Sequence, residues 1–253
     1  LTAIDRISRR LAAARRVLFI TGAGISADSG LPTYRGVGGL YNDEATEDGL
    51  PIETALSGDV FAVRPDITWK YLAQIEQNCR GAMPNSAHRA IAVLGQVLSR
   101  VVVFTQNVDG LHQRAGSSGV LALHGNIFED RWLDDCALAR RPQDACNTEQ
   151  ALPGRPPRCG QCGNMLRPGV VWFGEMLPPA AFAAAERAAA QCEVMLVVGT
   201  AGAVYPAAGL AHQARTAGAQ VVIVNPHPSE LDDVAHHVLV GTAATLLPQL
   251  LGS

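Results

Sequence analysis

Three groups of residues hold most of the chemistry available to this 253-residue chain. In the first, Gly22, Gly24 and Ala27 form a G-x-G-x-x-A pattern directly after the apolar run Val17–Thr21. The first glycine permits a tight turn, and the second lets the main chain approach a pyrophosphate. The small third residue lets the next helix sit close, with its first N–H groups facing an anion. The pattern points to a nucleotide or dinucleotide site, with an ordinary glycine turn as the competing reading. In the second group, Gln106, Asn107 and Asp109 follow the apolar run Val101–Thr105, and His124 closes a shorter one. Amides and a carboxylate beyond a strand end can hold a carboxamide and position water; the competing reading is a polar turn capped by Asn107 or Asp109. His124 is a candidate base, since an unperturbed imidazole titrates near neutral pH; a purely structural histidine is the alternative. The third group is Cys136, Cys146, Cys159 and Cys162, four of the six cysteines, whose clustering points to a metal before disulfides. Cys79 and Cys192 stand apart and read as small packing residues.

A dehydrogenase would continue from such a glycine loop through a helix and a second strand to an acidic residue about 20 positions on. Here Pro32, Gly36, Gly38 and Gly39 break any helix early and leave Asp43 and Glu44 in a loop. That loop is suited to closing over a ligand. Ordinary hydride transfer is disfavoured.

These residues need a frame. Val17–Thr21, Val101–Thr105, Val194–Gly199 and Gln220–Asn225 read as buried parallel strands, with weaker candidates at Val120–Leu123 and Val238–Val240. Helical patterns at Pro179–Ala190 and Tyr205–Ala217 separate them, and Ile4, Ile7 and Leu11 mark an amphipathic helix at the start. Alternating strand and helix predicts an α/β fold, a Rossmann-like parallel sheet with helices on both faces. Two stretches break the rhythm. Residues 35–95, with a helical run around Ile67–Ile75, and residues 125–170, rich in Pro, Cys, Arg and Gly, are too long for plain loops. They are expected to build a smaller lobe beside a large lobe of residues 1–34, 96–124 and 171–253, all within a single catalytic domain. Composition limits the partners. With 48% hydrophobic and 17% charged residues and a net charge of −3, nothing favours nucleic acid or an acidic membrane. No apolar stretch reaches the roughly 18 residues needed to span a bilayer, and the N-terminal segment lacks the features of a signal peptide. A cytoplasmic protein is expected, and no sequence feature specifies an oligomeric state.

The motifs together resemble the sirtuin family of NAD-dependent protein lysine deacylases, of the bacterial type. The likeness runs from Gly22 to Arg35, then through Gln106–Asp109, Leu123–Asn126, Cys159–Cys162, Leu166–Glu175, Val197–Thr200 and Val204–Ala207. It implies that Gly22, Ala23, Gly24, Ala27, Asp28, Tyr34 and Arg35 wrap the NAD pyrophosphate and nicotinamide ribose, with Gln106, Asn107 and Asp109 at the nicotinamide end. It places Gly199, Thr200 and Ala201 by the adenosine-side ribose, Ala201 standing where a serine is usual. Asn225, Pro226 and His227 would follow there, with Ala243 at the adenine. Val171, Phe173, Gly174, Glu175 and Val204 would receive an extended acyl-lysine peptide by β-augmentation. His124, assisted by Asn107, would be catalytic: the acyl oxygen attacks the nicotinamide ribose, nicotinamide leaves, and His124 helps deprotonate a ribose hydroxyl. The products are lysine, nicotinamide and O-acyl-ADP-ribose, so NAD is a co-substrate.

Two departures from the family pattern matter. Relatives that prefer acidic acyl groups carry a tyrosine and an arginine where this chain has Leu72 and Ile75. A buried acyl carboxylate would then have no partner, so acetyl or a longer neutral group is expected; lobe core is the alternative reading for both residues. The family's zinc-ribbon-like segment holds structural Zn²⁺ in two Cys-x-x-Cys pairs. Cys159 and Cys162 keep one pair, while Cys136 and Cys146 replace the other at an irregular spacing, leaving either a Cys₄ site or a lost metal. Mono-ADP-ribosyl transfer, NAD glycohydrolysis and non-catalytic NAD sensing are the competing functions.

Overall fold

A computed structural model of the chain describes residues 2–33, 45–98, 100–136, 146, 151–152, 156–202 and 208–252. In chain order the described elements are α1 (Ala3–Ala13), β1 (Val17–Thr21), a 3-10 helix (Ala23–Ser29), α2 (Ile52–Ala55), α3 (Gly58–Val63), α4 (Pro65–Gly81) and α5 (Ser86–Val97). There follow β2 (Val101–Thr105), α6 (Leu111–Arg114), β3 (Val120–Ala122), β4 (Gly125–Trp132), β5 (Ala151–Leu152), β6 (Arg158–Cys159) and β7 (Leu166–Val170). The last part holds α7 (Pro179–Gln191), β8 (Val194–Val198), α8 (Gly209–Thr216), β9 (Gln220–Asn225), a 3-10 turn (Asp232–Val234), β10 (His237–Val240) and α9 (Ala243–Leu251). Packing divides the chain into one unit of Leu1–Asn42, Ala82–His124 and Leu177–Ser253, and another of Asp43–Gly81 and Gly125–Met176.

The larger unit is built on a six-stranded, wholly parallel sheet in the order β10-β9-β8-β1-β2-β3. The apolar runs at β1, β2 and β9 are strands over the residues their composition predicted. β8 stops one residue short of Gly199, which turns the chain with φ 61°. Side chains alternate between two cores. Val17 and Phe19 of β1 face Ile7 and Leu11 of α1, Ile91 and Leu94 of α5, and Leu247 and Leu250 of α9. Leu18 and Ile20 face the alanine-rich stripes of α7 and α8, with Ala185, Ala189, Leu210 and Ala214 buried. The period of two along the strand therefore feeds helices on both faces. Winding reverses direction between β1 and β8, and sheets of this topology bind ligands at such a reversal, beyond the strand ends.

Two expected boundaries change. Helix α5, assigned to the smaller lobe from sequence, lies in the larger unit, because Ala87, Ala90, Ile91 and Leu94 bury into its core. Residues 171–176 group instead with the smaller unit. The helical pattern expected at Tyr205–Ala217 is described from Gly209 to Thr216, and residues 203–207 lie outside the described part.

The smaller unit combines α2–α4 with the antiparallel pair β4·β7 and the short pair β5·β6. The β4·β7 register slips between Asn126 and Asp130. Gly125 opens β4 at φ 83°, where a Cβ would lie 2.0 Å from the Gly169 carbonyl oxygen. A side chain there has no room. No helix among the described residues is long and apolar enough to cross a membrane.

Candidate active site

The glycine loop after β1 does its work against the protein itself. A Cβ on Gly24 would stand 2.7 Å from the Gly199 Cα, and one on Gly22 would stand 2.8 Å from the Gly199 oxygen. The Gly22 and Gly24 N–H groups donate to Val198 O (3.0 Å) and Gly199 O (2.8 Å). The loops leaving β1 and β8 are thus in main-chain contact where the winding reverses. The helix that follows is a short 3-10 helix, Ala23–Ser29. Ala27 and Asp28 lie on its exposed side, so the close approach assigned to Ala27 is made by the glycines instead. Tyr34, Arg35 and Val204 lie outside the described residues.

Behind this loop sits a chain of buried polar groups. Asn107 donates through Nδ2 to Gly22 O (3.1 Å) and to Ser26 Oγ (3.2 Å), and the Ser26 hydroxyl donates to Asp109 Oδ2 (2.7 Å). Asp109 Oδ1 accepts the Leu111 N–H at 2.9 Å beside the start of α6, whose N-cap is Gly110 rather than the Asn107 or Asp109 of the alternative reading. Both amide hydrogens of Asn107 are used, which leaves Oδ1 as its further acceptor. Burial pushes the Asp109 carboxyl above its ordinary value, against the opposing pull of the Leu111 N–H and the Ser26 hydroxyl. Asn85 fixes the 3-10 helix from α5, donating through Nδ2 to Ile25 O (2.8 Å) and Ser29 Oγ (3.0 Å). His112 meets Thr21 Oγ1 at 3.0 Å and stacks edge-on against His88, with ring centroids 4.9 Å apart. Burial holds both rings neutral, lowering His88 to about 4 and His112 to about 3. Sequence reasoning left Ser26, Asn85, His88 and His112 out of the site. Ser26 stood within the glycine motif, and a lone hydroxyl there, three residues before another at Ser29, carried no signal of its own.

His124 follows β3. Its Nδ1 lies 2.8 Å from the Gln106 carbonyl oxygen, which can only accept. The proton is therefore on Nδ1, and Nε2 carries the free lone pair. Burial lowers the pKa of His124, partly offset by the Gln106 carbonyl, so the ring is neutral at pH 7. Gln106 also reaches Thr200 Oγ1 (3.5 Å), and a small cavity among Ile20, Gln106, Val197 and Thr200 opens at these strand ends. Thr200 Oγ1 accepts the Gly202 N–H, and Ala201 O accepts the Glu230 N–H at 2.9 Å. Asn225, at the end of β9, donates to His227 O (2.8 Å), while Pro226 and His227 are exposed. Ala243 is 2% exposed, its methyl packed in the core, so any contact from it to a base would come from the main chain.

In the smaller unit Leu72 is buried and Ile75 half-buried on α4. The segment Val171–Glu175 is not the regular strand expected. Phe173 bridges Ser57 and donates its N–H to Leu56 O (3.2 Å), and Gly174 then turns at φ 83°. Glu175 points inward, accepting from Arg167 at Oε1 (2.5 Å) and Oε2 (2.8 Å) and from the Trp172 N–H (3.0 Å). The Arg167 guanidinium also donates to Val170 O and lies 3.3 Å from the Trp172 ring centre. Burial pulls the Glu175 carboxyl up, but Arg167 and the Trp172 N–H outweigh it and hold the group below the usual carboxylate range. Phe173, 41% exposed, is left facing outward from this turn.

The cysteines gather as a metal site requires. Sγ of Cys162 lies 3.6 Å from Cys136 and 3.4 Å from Cys146, and the three sulfurs are mutually within 4.8 Å. Four thiolates about 2.3 Å from zinc stand about 3.8 Å apart in a tetrahedron, so this donor set fits Zn²⁺. Cys159 interacts with both Cys146 and Cys162, and Trp132 Nε1 holds Cys146 by its carbonyl at 2.7 Å. The irregular spacing of Cys136 and Cys146 therefore does not prevent convergence.

Known proteins resemble this chain over most of its length. The Sir2 family model matches residues 22–206. An NAD-dependent protein deacylase of Ralstonia nicotianae is 49% identical, over 94% of this chain and 92% of its own. NAD-dependent protein deacylase 1 of Pseudomonas aeruginosa is 45% identical over 95% of each chain. Among solved structures, a Sir2 homologue in complex with ADP-ribose superposes with a TM-score of 0.85 at 35% identity, covering 98% of this chain and 95% of the other. A Sir2 complex with a p53 peptide and NAD⁺ gives 0.82 at 29% identity, covering 99% and 98%. On the strength of these matches and of the glycine, histidine and cysteine arrangements above, the chain belongs to the Sir2 family.

Proposed function

We propose that the protein is an NAD-dependent protein lysine deacylase that moves a neutral acyl group from lysine to ADP-ribose. The observation that carries this reading is His124: a partly buried, neutral imidazole with Nδ1 bound to a main-chain carbonyl and Nε2 left to accept a proton. A base in that state suits removal of a proton from a ribose hydroxyl. When bound, NAD supplies the nicotinamide leaving group and the ribose that receives the acyl group. The loops of Gly22–Gly24 and Gly199–Thr200 meet where dinucleotides bind in this sheet topology, and they are the residues that would hold the pyrophosphate and adenosine side. Asn107 and Asp109 would fix the nicotinamide end, positioned by Ser26. Tyr34 and Arg35 would complete the wrap, and Asn225 would meet the adenosine ribose.

On the substrate side, Val171, Phe173 and Gly174 would pair with an extended acyl-lysine peptide, and the resemblance adds Val204 to the residues that receive it. Leu72 and Ile75 would line the acyl group, and neither offers a charge to an acidic chain. Zinc, held by Cys136, Cys146 and Cys162 with Cys159 beside them, would be structural. The test is mass spectrometry of one peptide bearing a series of lysine acyl groups, incubated with NAD⁺ and with wild type or His124→Ala. Loss of acetyl or longer neutral groups, sparing of succinyl and an inactive variant are expected. Nicotinamide release without an acyl-lysine peptide would replace this reading with NAD glycohydrolysis.

A further inference from the structure

Of the 20 basic residues in this chain, Lys70 is the only lysine; all the others are arginine. Arginine does not form stable acyl amides under the conditions in which a lysine amine does, because its guanidinium stays protonated. Lys70 is thus the one side chain through which the protein could become a substrate of the class proposed above, and the inference rests on that reading. Its surroundings are specific. Nζ lies 3.0 Å from Glu47 Oε2 and 3.0 Å from Asp48 Oδ2, with the Tyr71 hydroxyl at 3.5 Å. The Tyr71 hydroxyl donates to the same Asp48 oxygen at 2.6 Å, and the ammonium sits 4.9 Å from the Tyr71 ring centre. Two carboxylates, a hydroxyl and a π-face therefore surround one cation, on the same helix that carries Leu72 and Ile75.

We infer that Lys70 is a guarded acylation site, whose ion pairs with Glu47 and Asp48 withhold its amine from acyl donors. Acylation needs the free amine. Its lone pair attacks the carbonyl carbon of an acyl phosphate or acyl thioester, the bond to phosphate or sulfur breaks, and the amine proton passes to solvent. An ordinary lysine has about 0.4% free amine at pH 8, and each further unit of pKa lowers that about tenfold. The hydrogen bonds from Asp48 and then Glu47 raise the Lys70 pKa above its ordinary value. Both carboxylates lie 3.0 Å from the amine, whose side chain is 34% exposed, so an acyl donor must displace them to reach the lone pair. An acyl group once placed there would leave both carboxylates facing a neutral amide, on the helix that would line the acyl pocket. The guard therefore protects the helix as well as the amine.

The experiment treats the full chain with acetyl phosphate at pH 8 without NAD⁺ and follows Lys70 by peptide mass spectrometry, beside an unstructured peptide with one lysine. NAD⁺ is absent, so the result is independent of whether the deacylase reading holds. Acetylation of Lys70 at least tenfold slower than the free peptide is expected. The E47Q variant should react at an intermediate rate, and E47Q/D48N should come within about threefold of the peptide. A wild-type rate equal to the peptide overturns the inference. So does a doubly substituted chain that stays as slow as wild type while folded by circular dichroism.

Discussion

Substituting Glu175 tests the tie that shapes the segment beside the proposed peptide site. The Arg167 side chain is 6% exposed and both terminal nitrogens of its guanidinium are bound by Glu175, which is itself 30% exposed. Removing one partner of a buried pair costs about 3–5 kcal/mol because the other charge stays behind. Glu175 keeps some contact with water, which places E175A near the lower end, about 3 kcal/mol. Arg131 makes the loss worse, since it lies 3.8 Å from Glu175 and would then face Arg167 as a like charge. E175Q retains an acceptor for the Trp172 N–H and loses only the charge, for about 1.5–2 kcal/mol. The first assay is urea unfolding, with a separate thermal scan in which the midpoint should fall by roughly 6–12 °C for E175A at about 2–4 °C per kcal/mol. The second is steady-state kinetics: with the Trp172–Glu175 turn loosened, the peptide KM should rise about tenfold in E175Q while the NAD⁺ KM holds. An E175A protein within 0.5 kcal/mol of wild type, or an equal rise in both KM values, would refute the reasoning.

Three further outcomes are expected. The acid limb of kcat/KM should have its midpoint below pH 6.5, because burial lowers the His124 pKa and the base must be deprotonated; a midpoint above 7 would contradict that environment. His88 and His112 bind protons only when unfolded, so stability is full above pH 6.5 and falls with acid down toward their folded values of about 4 and 3. Each ring should contribute about 1.4 kcal/mol per pH unit in that window, and H112N should lose about half of the slope in pH-stepped urea titrations. Elemental analysis should find one zinc per chain, lost in Cys146→Ser together with the melting transition of the smaller unit; equal metal content in that variant would move the site elsewhere.

The larger unit was legible because its strands are short, apolar runs that begin or end on a polar residue, so β1, β2 and β9 could be read to the residue. Broken rhythm does not say which core a segment joins, so a bound drawn at residue 95 put most of α5, a helix not read from the sequence, in the wrong lobe. The smaller unit was opaque. The strands β4 and β7 carry Gly125, Asp130, Arg167 and Pro168 where an alternating pattern would be needed, since they pair over a register slip. Glu175 shows the same limit at a site. Its family motif marked it for the peptide, yet the geometry that turns it toward Arg167 and Trp172 is set by packing that no spacing encodes. For the glycines, a ligand was the only reason the spacing offered, and the structure adds another. They are required by each other before any ligand arrives.

The bond between His124 and the Gln106 carbonyl carries an implication for mutational robustness. In many catalytic triads the imidazole is oriented by a carboxylate, so one base change in the gene can remove the orienting group. Here the orienting atom belongs to the peptide unit and is present whatever residue occupies position 106. Drift at that codon can alter what Gln106 offers to Thr200 while leaving the tautomer intact. The protonation state of this base is thus inherited with the course of the backbone, and it is lost only when His124 itself changes or the loop is rebuilt.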